Sequence, residues 1–195
     1  MLNLTEFIKS ELETSVQTKL KVLEDRNILE SIAKISEAVI RCYKAGGKTL
    51  LAGNGASASD AQHIASDLVS RFYFDRPGLA SLSLSSDPSI VTAIGNDYGY
   101  ENLFARQIEA HGKAGDVFIG FTTSGRSPNI LKAAATAKQL GIVTVAMTSE
   151  KGAEFARSCD LAIQVPSSSA PKIQECHVMI GHAILASVEE ALFRQ

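Results

Sequence analysis

Four histidines occur in the chain, His63, His111, His177 and His182, and the neighbours of some of them suggest chemistry. His63 and Asp67 are four residues apart, so on a helix both point from one face. An imidazole beside a carboxylate can ligate a divalent metal or pass a proton, and it is also an ordinary exposed helical pair. Near the C-terminus His177 and His182 stand with Gln174 and Glu175 among Ile173, Val178, Ile180, Ile184 and Leu185. Polar groups on so apolar a segment are either satisfied inside a core or kept for a site. His111, beside Gly112 at an expected helix end, reads as a surface residue.

Three loop segments carry the remaining candidates. Gly53-Asn54-Gly55-Ala56-Ser57-Ala58-Ser59-Asp60 is built of small residues, so a ligand can approach its backbone and the free N–H groups of a following helix. It is neither a GxGxxG fingerprint nor a P-loop, because the GK[ST] ending is missing. Thr122-Thr123-Ser124-Gly125-Arg126-Ser127-Pro128 puts four hydroxyls into six residues. Helix capping accounts for Ser127, with Pro128 in the first turn, but leaves Thr122, Thr123 and Ser124 without a reason. Hydroxyls together with N-terminal amides suit one phosphate. Gly95-Asn96-Asp97-Tyr98-Gly99-Tyr100 reads as a turn.

The elements that must position these residues follow from composition and periodicity. With 195 residues, 45% hydrophobic and 21% charged, the chain has the make-up of one soluble globular domain rather than a disordered or fibrous one. Nineteen basic against 21 acidic residues leave a net charge of −2, so no overall field is directed at nucleic acid or a membrane. No unbroken apolar run reaches the roughly 18 residues of a membrane span. The start, MLNLTEFIKSELE, is acidic and amphipathic, unlike a signal peptide. Cys42, Cys159 and Cys176 form neither a disulfide framework nor a CxxC metal site, and a reducing cytoplasm is the expected setting.

Thr5 is a plausible N-cap for a helix carrying Ile8, Leu12, Val16, Leu20 and Leu23. A second helix carries Ile28, Ile32, Ile35, Val39 and Tyr43 and stops at Gly46-Gly47. This pair, residues 1–47, is expected to serve packing in the core or between subunits, as part of the same domain as residues 48–195. Strands are expected at 49–53, 79–84, 117–121, 143–147 and 161–165. Helices are expected at 57–72, 87–94, 100–111, 128–140, 150–158 and 171–193. Strands alternating with helices give an α/β fold, a three-layer sandwich around a mostly parallel five-stranded sheet. In such sheets ligands bind where strands end and helices begin, which is where the loops at 53–60 and 122–128 stand.

The runs AGNGASASDAQHIASDLVSRF, DRPG, AIGNDYGYENLFARQ, GDVFIGFTTSGRSPNIL and PKIQECHVMIGH, in this order across about residues 48–193, closely resemble phosphoheptose isomerases. These are sugar-isomerase (SIS) domain proteins that convert D-sedoheptulose 7-phosphate to D-glycero-D-manno-heptose 7-phosphate. Roles follow from the resemblance residue by residue. Asn54, Gly55 and Ala56 match the sugar-binding loop, and Asn96 and Asp97 a second substrate contact. Thr122, Thr123, Ser124 and Ser127 match the phosphate loop. His63, Gln174 and His182 match three ligands of a zinc ion, one per active site, with Gln174 also near the substrate. The fourth ligand, also the general base, is Glu in the family and is Asp67 here, while His182 matches the general acid. The resemblance further implies a cytoplasmic homotetramer with active sites between subunits, without nucleic acid or membrane as partner. It would catalyse the first step towards heptose precursors of lipopolysaccharide or capsule.

Those residue types suit the reaction. Exchange between a 2-ketose and an aldose moves a proton between C1 and C2 through an enediol(ate), which a carboxylate can shuttle while an acid or a metal serves the oxygens. Gln174 and His182, however, are eight residues apart, about 12 Å of rise on one straight helix, whereas zinc ligands lie about 2 Å from the ion. Either the helix begins after Gln174, or the ligands come from two subunits; the second is expected. Asp67 is one methylene shorter than Glu, a shortfall of roughly 1.5 Å that can cost on the order of a hundredfold in rate. Ala56, where the family more often has Gly, adds a methyl beside the sugar. A relative in the same family that lacks the catalytic Glu binds the replication initiator DnaA, so the alternative is a tetrameric DnaA-binding scaffold with weak or no catalysis. His63, Gln174, His182 and the Asn96-Asp97-Tyr98-Gly99 segment favour the isomerase.

Overall fold

The computed structural model describes residues 2–194. Helix α1 (Leu4–Glu24) and helix α2 (Arg26–Lys44) lead into strand β1 (Thr49–Gly53) and helix α3 (Ala56–Val69). There follow β2 (Ser81–Ser83), α4 (Pro88–Tyr98), α5 (Leu103–His111) and β3 (Val117–Phe121). The chain ends with α6 (Pro128–Gln139), β4 (Val143–Ser149), α7 (Ala153–Ser158), β5 (Leu161–Val165) and α8 (Ala170–Phe193). Single 3-10 turns at Tyr100–Asn102 and Glu150–Gly152 precede α5 and α7.

All five strands are parallel, in the order β2-β1-β3-β4-β5. Parallel neighbours need crossover helices, and these cover both faces. On one face α2, α3 and α8 bury Ile35, Val39, Ile64, Leu68, Ile180 and Leu185 against Leu51, Ile119, Val145 and Ile163. On the other, α5, α6 and α7 bury Phe104, Ile108, Ile130, Ala133 and Phe155 against Leu50, Phe118 and Ala146. The alternation of Leu50 and Leu51, or Phe118 and Ile119, between faces is the period of two that a strand imposes. The result is the expected three-layer α/β sandwich.

Several boundaries differ from expectation, each for a local reason. Asn3, not Thr5, caps α1, its side chain accepting from the Glu6 N–H. Helix α3 stops at Val69 rather than 72 because the N–H groups of Phe72 and Tyr73 are taken by the Glu189 carboxylate. Strand β2 is three residues long, an edge strand paired to β1 alone. Residues 95–98 are not a turn but the end of α4, which breaks at Gly99.

Helix α1 has its faces reversed relative to a core helix. Ser15, Thr18 and Val22 are its buried residues, while Phe7, Ile8, Leu12, Val16, Leu20 and Leu23 are exposed, Leu12 by 63%. Helix α8 is long and apolar enough to cross a membrane by length and composition, yet Ile173, Cys176, Ile180, Ile184, Leu185 and Val188 pack into the sheet core. The three cysteines are all buried.

Candidate active site

Strand β1 lies beside β3, and the chain leaves β1 towards β2 on one side and leaves β3 towards β4 on the other. At such a switch point two neighbouring loops diverge and leave a crevice beyond the strand ends. The loop after β1 and the loop after β3 are the two candidate ligand loops, so topology alone brings them together.

A reciprocal amide pair joins them. Asn54 Nδ2 donates to Asn129 Oδ1 (2.9 Å), and Asn129 Nδ2 donates to Asn54 Oδ1 (2.8 Å). The Tyr100 hydroxyl also donates to Asn54 Oδ1, at 3.1 Å. These bonds fix which way the Asn54 amide faces and leave one of its two N–H donors free for a ligand. In the second loop, Thr122 Oγ1 lies 3.0 Å from Ser127 Oγ and 3.5 Å from Ser124 Oγ. Ser127 is the N-cap residue of α6, but its hydroxyl bonds Thr122 and caps no backbone N–H. The hydroxyls thus face one another at a helix N-terminus, the arrangement a phosphate group can bridge. Thr123 is half-buried and holds the loop to β4 by accepting from Ser149 Oγ at 2.7 Å. Gly125 has φ +66°, which favours glycine, and an added Cβ would lie 2.3 Å from Gly152 Cα. Asn96 and Asp97 are exposed on the last turn of α4 and bond each other (2.7 Å); Tyr100 makes the tie from this segment to Asn54.

The remaining groups converge between α3 and α8. The helices approach closely where Gly181 meets Ile64; an added Cβ would lie 2.3 Å from Ile64 Cδ1. One residue later, His182 Nε2 stands 2.8 Å from His63 Nε2, and Asp67 Oδ2 stands 3.6 Å from His63 Nε2. One donor atom from each of His63, Asp67 and His182 lies within 4.8 Å of the others. Phe72 stacks 5.3 Å from the His182 ring and walls one side. Two ligands of a tetrahedral zinc sit about 3.3 Å apart, so two imidazoles and a carboxylate at this spacing fit such an ion, with a position left open. Asp67 reaches the cluster despite its missing methylene.

Gln174 is not part of this cluster in one chain. Helix α8 begins at Ala170 and runs unbroken through both residues, so Gln174 stays about 12 Å of rise from His182. The alternative of a helix starting after Gln174 is thereby excluded. Ala56 is exposed at the first position of α3, whose N-cap Gly55 offers no side chain. His111 is exposed at the end of α5. His177 is fully buried, donates through Nε2 to Thr148 O at 3.1 Å, and burial pulls it down to about 4. Glu175 is pulled down to about 2 by the Ser15 hydroxyl first and then by Lys19 and Lys172, a tie between α8 and α1 rather than part of the site. One turn ahead of His63, burial pushes Asp60 up to about 6 against the pull of His63.

Sequence reasoning passed over Asn129, Tyr100 and Phe72. Asn129 follows Pro128 directly, and an Asn at an expected helix start next to a hydroxyl-rich loop was the available signal.

The chain matches the SIS domain family over residues 13–149. It is 54% identical to a phosphoheptose isomerase of Aneurinibacillus thermoaerophilus over 98% of this chain and 96% of that one. It is 55% identical to phosphoheptose isomerase 2 of Campylobacter jejuni, over 99% and 96% respectively. Its fold superposes on a phosphoheptose isomerase from Francisella tularensis with a TM-score of 0.91 at 35% identity, covering 97% of this chain and 100% of that one. Identity of this extent over nearly the whole chain makes it a member of the phosphoheptose isomerase family of SIS-domain proteins.

Proposed function

We infer that the protein interconverts D-sedoheptulose 7-phosphate and D-glycero-D-manno-heptose 7-phosphate. The observation that carries this reading is the convergence of His63, Asp67 and His182 on the helix that opens from the Asn54 loop and the helix packed against it. The substrate phosphate rests on the Thr122, Ser124 and Ser127 hydroxyls and the N-terminus of α6, with Thr123 holding the loop in shape. Binding energy gathered there positions the distant carbonyl end. The free N–H of Asn54 meets a sugar hydroxyl, with Gly55 and Ala56 lining the same loop and Asn96 and Asp97 at its rim.

Asp67 presents one oxygen to His63 and keeps the other for the proton that moves between C1 and C2. His182 serves as the acid that protonates the substrate oxygen. His63, Asp67 and His182 would hold a zinc ion, which when bound polarises the carbonyl and hydroxyl oxygens as a Lewis acid. Gln174 of the partner subunit completes the ligand set, within a homotetramer whose active sites lie between subunits. The outward apolar stripe of α1 supports assembly, since so long a row of exposed leucine, valine and isoleucine is costly in a monomer. The aldose product is then available for heptose precursors of lipopolysaccharide or capsule.

Turnover of sedoheptulose 7-phosphate by the purified, zinc-loaded protein, followed by NMR of the aldose, tests this. Conversion that disappears in Asp67→Asn is the expected result. No conversion by a folded, zinc-bound assembly would refute it and favour the DnaA-binding scaffold, in which Asp67 has no task. The position of Asp67 within the donor cluster supports the isomerase over that scaffold.

A further inference from the structure

The DRPG run, Asp75 to Gly78, has no part in either ligand loop, yet its arginine is among the most buried charges in the chain. Arg76 and Glu189 form an ion pair, Nε to Oε1 at 2.9 Å, with side chains only 1% and 2% exposed. Burying two charges is expensive unless every lone pair and proton is used, and here nearly all are. Glu189 Oε1 also accepts from the Phe72 N–H and Oε2 from the Tyr73 N–H, both at 2.8 Å. Arg76 Nη2 donates to Asp67 O (2.8 Å) and Nη1 to Leu68 O (2.7 Å) and Pro77 O (3.1 Å). Burial pushes the Glu189 carboxyl up, but the Tyr73 and Phe72 N–H groups and Arg76 outweigh it and hold it below its ordinary value.

The partners matter more than their number. The last carbonyls of α3 lack intrahelical donors, and a cation at that end also meets the negative end of the helix dipole. One of the carbonyls Arg76 takes belongs to Asp67 itself. Gly78 closes the same contact, since an added Cβ there would lie 2.7 Å from Val69 O. On the other side, Glu189 stands on α8 seven residues, about two turns, beyond His182. The N–H groups it holds are those of Phe72, which stacks on His182, and of Tyr73. A single buried unit therefore grips the backbone of the carboxylate donor, the helix of one histidine donor and the ring beside it.

We propose that Arg76 and Glu189 are positioning residues that set the spacing of α3 and α8 so that the short Asp67 arm reaches His63 and His182. This rests on the reading of those three residues as a metal site. Neither Arg76 nor Glu189 touches metal or substrate; both act through Asp67, Phe72 and the helix α8 backbone. Outer partners of this kind commonly change metal affinity on the order of 10- to 100-fold.

The test uses Co2+ as probe, read by its visible ligand-field bands and its dissociation constant in the intact protein, alongside kcat and KM. Arg76→Lys keeps the buried charge against Glu189 but cannot reach Asp67 O and Leu68 O at once. The expected result is a folded protein whose Co2+ dissociation constant rises on the order of 10-fold or more. Its kcat should fall, while the KM set by the distant phosphate loop stays near wild type. Adding Asp67→Glu in that background restores affinity, because the longer arm spans the lost positioning. Should Arg76→Lys not fold, Arg76→Met with Glu189→Leu removes both charges together at similar volume and gives the same comparison. Wild-type Co2+ affinity in either folded variant overturns the proposal and leaves the metal site standing. Absence of Co2+ binding by the wild-type protein, or binding that Asp67→Asn and His63→Ala do not weaken, overturns both.

Discussion

Replacing Gly125 by alanine tests whether the loop after β3 holds the phosphate. The added Cβ would sit 2.3 Å from Gly152 Cα, and ordinary contact begins at 3.4 Å, so backbone must retreat by about 1.1 Å. The obstacle is backbone of the neighbouring 3-10 turn and not a flexible side-chain end, so no rotamer change relieves it. At φ +66° the alanine also costs about 1–2 kcal/mol in backbone strain. Ser124 and Ser127 flank this residue, so a shift near 1 Å separates their hydroxyls from Thr122 Oγ1, now 3.5 and 3.0 Å away. A hydrogen bond to a charged group contributes about 1.5–3 kcal/mol, so losing one raises KM by roughly 10- to 100-fold. Steady-state kinetics with sedoheptulose 7-phosphate, together with competition by inorganic phosphate, measure this. Co2+ affinity at His63, Asp67 and His182 should not change, since that cluster lies on other elements. An unchanged KM and unchanged phosphate inhibition in the folded variant would refute the assignment of the loop.

Leu12→Lys on the exposed stripe of α1 should leave the subunit fold intact but reduce the assembly, with loss of turnover, as read by light scattering and activity at matched concentration. Tyr100→Phe deletes one exposed hydrogen bond to Asn54, about 0.5–1.5 kcal/mol, and should raise KM by 2- to 10-fold without altering metal affinity. His177 is depressed from 6.5 to about 4 by burial, so the unfolded chain takes up a proton in that window and the folded one does not. Stability therefore falls as pH drops from 6.5 towards 4, by on the order of 3 kcal/mol, and denaturant midpoints of His177→Gln should lose this dependence.

Much of the architecture was legible because parallel strands buried on both faces spell continuous apolar runs, as in Val117–Phe121 with its five buried positions. The place of the loops after β1 and β3 was legible for a related reason: small and hydroxyl residues follow each apolar run where the strand ends, and topology sets the two loops side by side. The end of α4 was not, because Gly95, Asn96 and Asp97 have turn propensity that the surrounding helix overrides. Nor was the Arg76–Glu189 pair, whose members are 113 positions apart and carry no periodic signal. The same holds for the direction of α1: spacing identifies an apolar stripe but not what it faces, and Ser15 and Thr18 proved to be the inward residues. The continuity of α8 through Gln174 and His182, by contrast, turned a spacing argument into a geometric one.

The three buried cysteines bear on how the chain meets oxidants. Burial pushes the Cys42 thiol up to about 11 and raises Cys159 and Cys176 as well. A thiol must ionise before it can bind a metal or attack an electrophile. Thiolate is thus scarce at neutral pH, and the three sulfur atoms stand in the packed interior, apart from the His63, Asp67 and His182 cluster. Sulfenylation needs both thiolate and access, so the packing that raises these thiols also shields them from oxidants.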